Sequence, residues 1–142
     1  MTRLAAGLAA GAALLLASLS GARADAEHGK VVFQRCYACH SVEQGENTLQ
    51  GPNLLGVLGR RAGTAPGFEY SPAMMEVGAR RRLVWTRKTL DAFLADPQLF
   101  IPGTSMSMPP LRDPADRRDL IDYLDQIAKA SRRGAGTPSP PR

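Results

Sequence analysis

Cys36-Tyr37-Ala38-Cys39-His40 brings two thiols and an imidazole together within five residues. On a helical turn, side chains three apart share a face, so both thiols can reach one edge of a flat macrocycle. The next residue turns its ring toward the centre of that macrocycle, where a metal would sit. Cys-x-x-Cys-His is the attachment pattern of haem c: two thioether bonds to the vinyl groups and an axial imidazole on the iron. Cys-x-x-Cys alone also serves disulfides and thioredoxin-like redox pairs. A thioredoxin-like pair needs a strand-helix-strand setting, and no such pattern surrounds these residues. Cys36 and Cys39 are also the only two cysteines of the chain. One haem c, covalently attached through Cys36 and Cys39 with His40 as an iron ligand, is the expected cofactor.

A second axial ligand decides whether such an iron is closed or open. His28 is the only other histidine. It belongs in or next to the helix that carries His40 and is expected as a solvated helix start. The run Ile101-Pro102-Gly103-Thr104-Ser105-Met106-Ser107-Met108-Pro109-Pro110 offers two thioethers in a loop stiffened by proline and glycine. Core packing is the usual fate of a methionine. In a loop able to close over a macrocycle, ligation by one of the pair is the stronger expectation.

The elements that must position these groups are helices and loops. Glu27 to Cys39 reads as a short amphipathic helix with Val31, Val32 and Phe33 as its apolar members. Ser41 to Tyr70 is rich in Gly, Pro and Asn and lacks a sustained period, so it reads as a long loop. A loop of that length in a small domain makes sense where it wraps a large group. Thr86–Ala95 reads as a helix with Thr86 as N-cap, stopping at Asp96-Pro97. Asp113 or Pro114 opens a last helix whose Leu120, Ile121, Tyr123, Leu124, Ile127 and Ala128 form an apolar stripe. No segment reads as a strand, so the fold class is all-α.

Met1–Ala24 has the layout of a secretory signal: Arg3, an Ala/Leu/Gly run from Leu4 to Leu19, and the small-x-small site Ala22-Arg23-Ala24. A second cleavage point follows Ala26. The apolar run falls short of the ~20 residues of a membrane span, so cleavage and a periplasmic location are expected, without stable membrane insertion. Ser131–Arg142 lacks core-forming residues and reads as a disordered tail. Residues 25–130 remain as one small domain, for which a covalently held apolar group would supply much of the missing interior.

The basic pI of about 9.8 overstates the charge of that domain. Of the 18 Lys+Arg, Arg3 and Arg23 fall in the leader and Arg132, Arg133 and Arg142 in the tail, leaving 13 against the 13 Asp+Glu, all between Asp25 and Asp125. A neutral domain without a basic, groove-reading face argues against nucleic-acid binding. Arg80-Arg81-Arg82 is the one basic cluster, read first as a solvated loop and second as a docking contact.

The ordered set of Cys36–His40, Gly51-Pro52-Asn53-Leu54, Gly59–Gly63, Ala65–Ser71, Trp85 and Ile101–Met106 resembles the class I c-type cytochromes, of the mitochondrial cytochrome c and bacterial cytochrome c2 type. The resemblance spans about Gly29 to Ala128. It implies a small cytochrome c fold wrapped around one haem c, and an electron-transfer protein rather than an enzyme. It implies further that Met106 is the axial methionine and Met108 the lesser candidate. By the same resemblance the Pro52 carbonyl accepts the second N–H of the axial histidine, and Arg60, Tyr70 and Trp85 hydrogen-bond the haem propionates. Gly29 and Phe33 would pack on the last helix near Leu120 and Tyr123.

Several positions depart from the family pattern. Phe93 stands where many members carry a tyrosine hydroxyl near the methionine sulfur. Ser71–Trp85, with Met74 and Met75, is longer than in typical bacterial members and has no assigned structure. Gln98, Leu99 and Ser105 stand where mitochondrial members often carry lysines that steer acidic partners. The implied function is that of a monomeric, soluble periplasmic one-electron carrier that meets respiratory or dehydrogenase partners transiently. The alternative is a haem subunit dedicated to one periplasmic dehydrogenase or oxidase.

Overall fold

Apolar residues at helical spacing, punctuated by Ser-Pro, Asp-Pro and Gly, divide the chain into short helices joined by long loops. The computed structural model describes residues 25–135. The expected secretory leader, Met1–Ala24, lies outside the described residues, as do residues 136–142 of the tail. Helix α1 covers residues 25–33, α2 runs Pro72–Ala79, α3 Arg87–Ala95, α4 Pro97–Phe100 and α5 Pro114–Ala135. Among the described residues the only β-pairing is an isolated bridge between Arg61 and Val84, so the fold is all-α.

The first and last helices cross at Gly29. A Cβ there would overlap the Asp119 carbonyl oxygen and lie 2.8 Å from the Tyr123 Cβ. Only glycine permits this approach. Phe33 then meets Tyr123 at a ring-centroid distance of 5.6 Å. The expected packing of Gly29 and Phe33 on the last helix is what the structure contains. Val31 behaves differently from its expected apolar role: it is 66% exposed, while Val32 and Phe33 are buried. Regular helix also ends sooner than expected, at residue 33 rather than Cys39. Tighter turns follow, with Cys36 N–H donating to the Phe33 carbonyl at 2.8 Å and Cys39 N–H to the Cys36 carbonyl at 3.0 Å.

His28 is not merely a solvated helix start. Its Nδ1 lies 2.8 Å from Oδ2 of Asp119, a buried carboxylate on α5 that Arg118 also contacts. The polar pair fastens α1 to α5 beside Gly29.

The unassigned stretch after Tyr70 contains α2. Ser71 caps it, its hydroxyl accepting from Met74 N–H, and Pro72 occupies the first turn. Its buried Met74, Val77 and Gly78 face the core, and Gly78 sits so close to the Ala62 carbonyl that a side chain would collide. The following Arg80–Arg82 turn is exposed, and Arg82 adopts the left-handed region at φ 50°.

Helix α3 begins at Thr86 as expected. Thr86 and Thr89 form a reciprocal capping box, with Thr86 N–H on Thr89 Oγ1 at 2.8 Å and Thr89 N–H on Thr86 Oγ1 at 3.1 Å. Extended Asp96 ends α3 and caps the short α4, accepting from Leu99 N–H at 3.0 Å. Helix α5 buries Leu120, Ile121, Leu124 and Ala128. It continues through Ala135, so residues 131–135 are helical where disorder was expected. Arg132 and Arg133 in its last turn favour that extension, because cations stabilise the negative end of a helix.

The long segment between His40 and Tyr70 has no regular structure but is tied down throughout. The Asn53 amide donates to the Glu43 and Glu46 carbonyls, both at 2.7 Å. Leu54 N–H reaches the Ser41 carbonyl at 2.8 Å, and Gly59 N–H the Trp85 carbonyl at 2.9 Å. No helix among the described residues is long and apolar enough to cross a membrane.

Candidate haem site

One cavity of about 390 Å³ opens between the turns that follow α1, helices α2, α3 and α5, and the two long loops. Cys36, Cys39, His40, Pro52, Arg60, Tyr70, Trp85 and Met106 all line it, and so does Met108. The fold thus gathers every site residue expected from the sequence, drawn from positions 36 to 108, into one place.

The turns after α1 set the first wall. Cys36 is buried and Cys39 exposed, and the two thiols are not joined to each other. Burial pushes the Cys36 thiol above its ordinary value, opposed by the nearby Arg35 charge. His40 is buried, and its Nδ1 lies 2.8 Å from the Pro52 carbonyl oxygen. A carbonyl only accepts, so Nδ1 carries the hydrogen and Nε2 keeps a free lone pair. Burial holds the imidazole below its ordinary value, against the opposing pull of the Pro52 hydrogen bond. Gly51 makes room for the ring: a Cβ there would lie 2.5 Å from His40 Cε1 and 2.8 Å from the Cys39 carbonyl oxygen.

A second wall is polar. The Arg60 guanidinium donates to the Asn53 carbonyl at 2.8 Å, which uses one of its five N–H groups. Burial lowers its basicity, opposed by Tyr70. Among the described residues no carboxylate lies within ion-pair distance of Arg60. The Tyr70 oxygen accepts from Ala65 N–H at 3.2 Å, leaving its own O–H to donate, and burial raises its ionisation above the ordinary phenol value. The Trp85 indole N–H has no hydrogen-bond partner among the described residues, while its ring packs on Phe93 with centroids 5.0 Å apart. A half-buried cation without a counter-charge, beside two free donors, suits an anionic group entering an otherwise apolar cavity.

The third wall is the loop after α4. Met106 and Met108 are both half-buried and packed on the core, with buried Thr104 before them. Phe93, Leu90 and Leu94 of α3 and Leu120 and Leu124 of α5 complete the apolar lining. No side chain at Phe93 supplies a hydroxyl, in line with the departure noted in the sequence.

The donor set fits haem c. Two separate thiols, an imidazole with a free, correctly held nitrogen, thioethers on the same cavity and polar donors at one end are the groups that cofactor needs. Two residues named in the sequence have positioning roles that only the structure shows. Asn53 organises the loop through three hydrogen bonds, a role that Asn in a Gly/Pro-rich segment signals. Gln98 reaches the methionine loop from α4, and no spacing rule marks it.

The sequence profile of the Cytochrome c family matches residues 26–128. The chain is similar to cytochrome c type-1 of Ascaris suum, with 44% identity over 106 residues, covering 74% of this chain and 90% of that one. It is 45% identical over 102 residues to cytochrome c 2.1 of Caenorhabditis briggsae, covering 71% of this chain and 87% of the relative. Among solved structures, cytochrome c2 from Rhodospirillum centenum superposes with a TM-score of 0.65 at 36% identity, covering 70% of this chain and 95% of that chain. Cytochrome cH from Methylobacterium extorquens gives a TM-score of 0.63 at 38% identity, covering 71% and 97%.

Proposed function

This chain belongs to the cytochrome c family, and from that premise we propose that it is a periplasmic one-electron carrier whose iron is held by His40 and Met106. Members of the family are electron-transfer proteins, not enzymes, and carry one covalently attached haem c. Bound haem supplies a ferric/ferrous couple. The remaining work falls to the chain. Cys36 and Cys39 hold the group covalently, and Pro52 orients the His40 ring and raises its basicity. Arg60, Tyr70 and Trp85 would hold the haem propionates. The apolar lining from α3 and α5 excludes water and disfavours the more highly charged ferric state. A thioether ligand favours the ferrous state in the same sense, which raises the potential.

The observation that carries this reading is the meeting of His40, with its Nδ1 bound to Pro52, and the Met106 loop on a single cavity. Met106 is favoured over Met108 by the Ile101-Pro102-Gly103-Thr104-Ser105-Met106 motif. Export rests on the layout of Met1–Ala24 and on the likeness to bacterial cytochromes c2 and cH. Partners would be redox proteins met through a small, short-lived interface. The exposed Arg80–Arg82 turn supports the second reading, a contact dedicated to one dehydrogenase or oxidase.

Cys36→Ala combined with Cys39→Ala tests attachment. The wild-type chain should keep haem through a denaturing gel and titrate reversibly as a one-electron couple. The double variant should keep none. Haem retained by the double variant would end this reading.

A further inference from the structure

We propose that Gln98 is a positioning residue that clamps the methionine loop and keeps the sixth ligand on the iron. This inference rests on the reading of Met106 as that ligand. The Gln98 Nε2 lies 2.8 Å from the Thr104 carbonyl oxygen and 3.2 Å from the Met106 carbonyl oxygen. Both partners are acceptors only, so the amide nitrogen, with its two N–H donors, is the atom that faces them. One side chain thereby holds the carbonyls on either side of Ser105, at the two ends of the segment that delivers the Met106 thioether.

The base from which Gln98 reaches is rigid. Pro97 is fully buried, Asp96 caps the turn through Leu99 N–H, and Ile101 N–H returns to the Pro97 carbonyl at 3.0 Å. On the other side, the loop is shaped by Thr104 N–H on the Ile101 carbonyl at 3.0 Å and Met106 N–H on Thr104 Oγ1 at 3.4 Å. These bonds form a turn, but none of them ties it to α4 beyond Ile101. The Gln98 amide does. A methionine sulfur is a weak neutral ligand, so its hold on ferric iron depends on how little freedom its backbone has. Gln98 is exposed, and water competes for its two bonds, so the effect is modest rather than all-or-none.

The test is the affinity of the ferric holoprotein for imidazole, which enters only when the thioether leaves, in wild type, Gln98→Ala, Gln98→Glu and Met106→Ala. Gln98→Ala should bind imidazole about tenfold more tightly than wild type, with a thermal midpoint lowered by only a few degrees. Gln98→Glu should bind it more tightly still, because an ionised carboxylate would face two carbonyl oxygens. That order separates clamping from filling of space, since glutamate matches the size of glutamine and a packing role would leave it close to wild type. Equal imidazole affinity in wild type and Gln98→Ala, with the weak far-red methionine-to-iron charge-transfer band of the ferric protein lost only in Met106→Ala, would overturn the clamp and leave the ligand assignment standing. A far-red band retained in Met106→Ala would overturn both.

Discussion

His40 donates its Nδ1–H to the Pro52 carbonyl at 2.8 Å, across a loop that Gly51 pins by its own N–H on the Cys39 carbonyl at 2.7 Å. The orientation of the ring is therefore set by backbone atoms of the loop rather than by a neighbouring side chain. Gly51→Ala would drive a methyl group to within 2.5 Å of Cε1 and 2.7 Å of Nδ1. A loss of about 2–3 kcal/mol is expected in denaturant unfolding of the holoprotein, together with a changed visible spectrum. Wild-type stability and an unaltered spectrum would show that the ring does not depend on this space.

Gly29→Ala tests the crossing of α1 and α5. The added methyl would overlap the Asp119 carbonyl oxygen, which belongs to helix backbone and cannot step aside cheaply. The helices would have to separate at the point where Phe33 meets Tyr123. A loss of about 3 kcal/mol is expected, read as a lowered urea midpoint.

Phe93 packs on Trp85 and on Phe100, with centroids 5.0 Å and 6.2 Å apart, and lines the cavity. Phe93→Ala would open space on the apolar side of the site and admit water. The expected cost is about 3–4 kcal/mol, accompanied by a lower reduction potential, because a wetter site better tolerates the ferric charge. Calorimetry and a redox titration check the two halves independently.

Arg87 of α3 bridges Asp122 and Asp125 of α5 at 2.6 Å and 3.2 Å, and Lys129 adds a second contact to Asp125 at 2.8 Å. The Lys129 hydrogen bond, more than the Arg87 contact, holds the Asp125 carboxyl below its ordinary value, against partial burial. A depressed acid stabilises the fold above its unfolded value near about pH 4, and that contribution is lost as pH falls through the folded value. Asp125→Asn should therefore destabilise by about 0.5–1 kcal/mol at pH 7 and by nearly nothing below about pH 3. A constant difference across that range in urea titrations would sink the assignment.

The attachment motif was legible because its chemistry is local. Two attaching thiols and one ligating imidazole within five positions, Cys36 to His40, carry their own geometry wherever the rest of the chain goes. Helices α3 and α5 were legible from Thr86, Pro114 and their apolar periods. Helix α2 was not read, although Ser71-Pro72 is a helix start, because Gly78 interrupts its pattern; the reason for that glycine, the Ala62 carbonyl, is sixteen residues away. Val31 looked like a core residue because strand-like and helix-like apolar runs are alike over three positions, and only the direction of α1 against α5 decides which member points outward. The His28–Asp119 contact joins residues ninety-one apart and had no local signal. Arg60, Tyr70 and Trp85 are of this kind too: their convergence on one cavity is a product of the whole fold, and the sequence pointed to them only through family resemblance.

The most direct test of the account is the far-red absorption of the purified ferric protein, compared between wild type and Met106→Ala. A weak methionine-to-iron charge-transfer band in wild type, absent from the variant, is the expected result and would establish the His40/Met106 pair of a closed electron carrier. A high-spin wild-type spectrum without that band would mean an open iron site and would contradict the account.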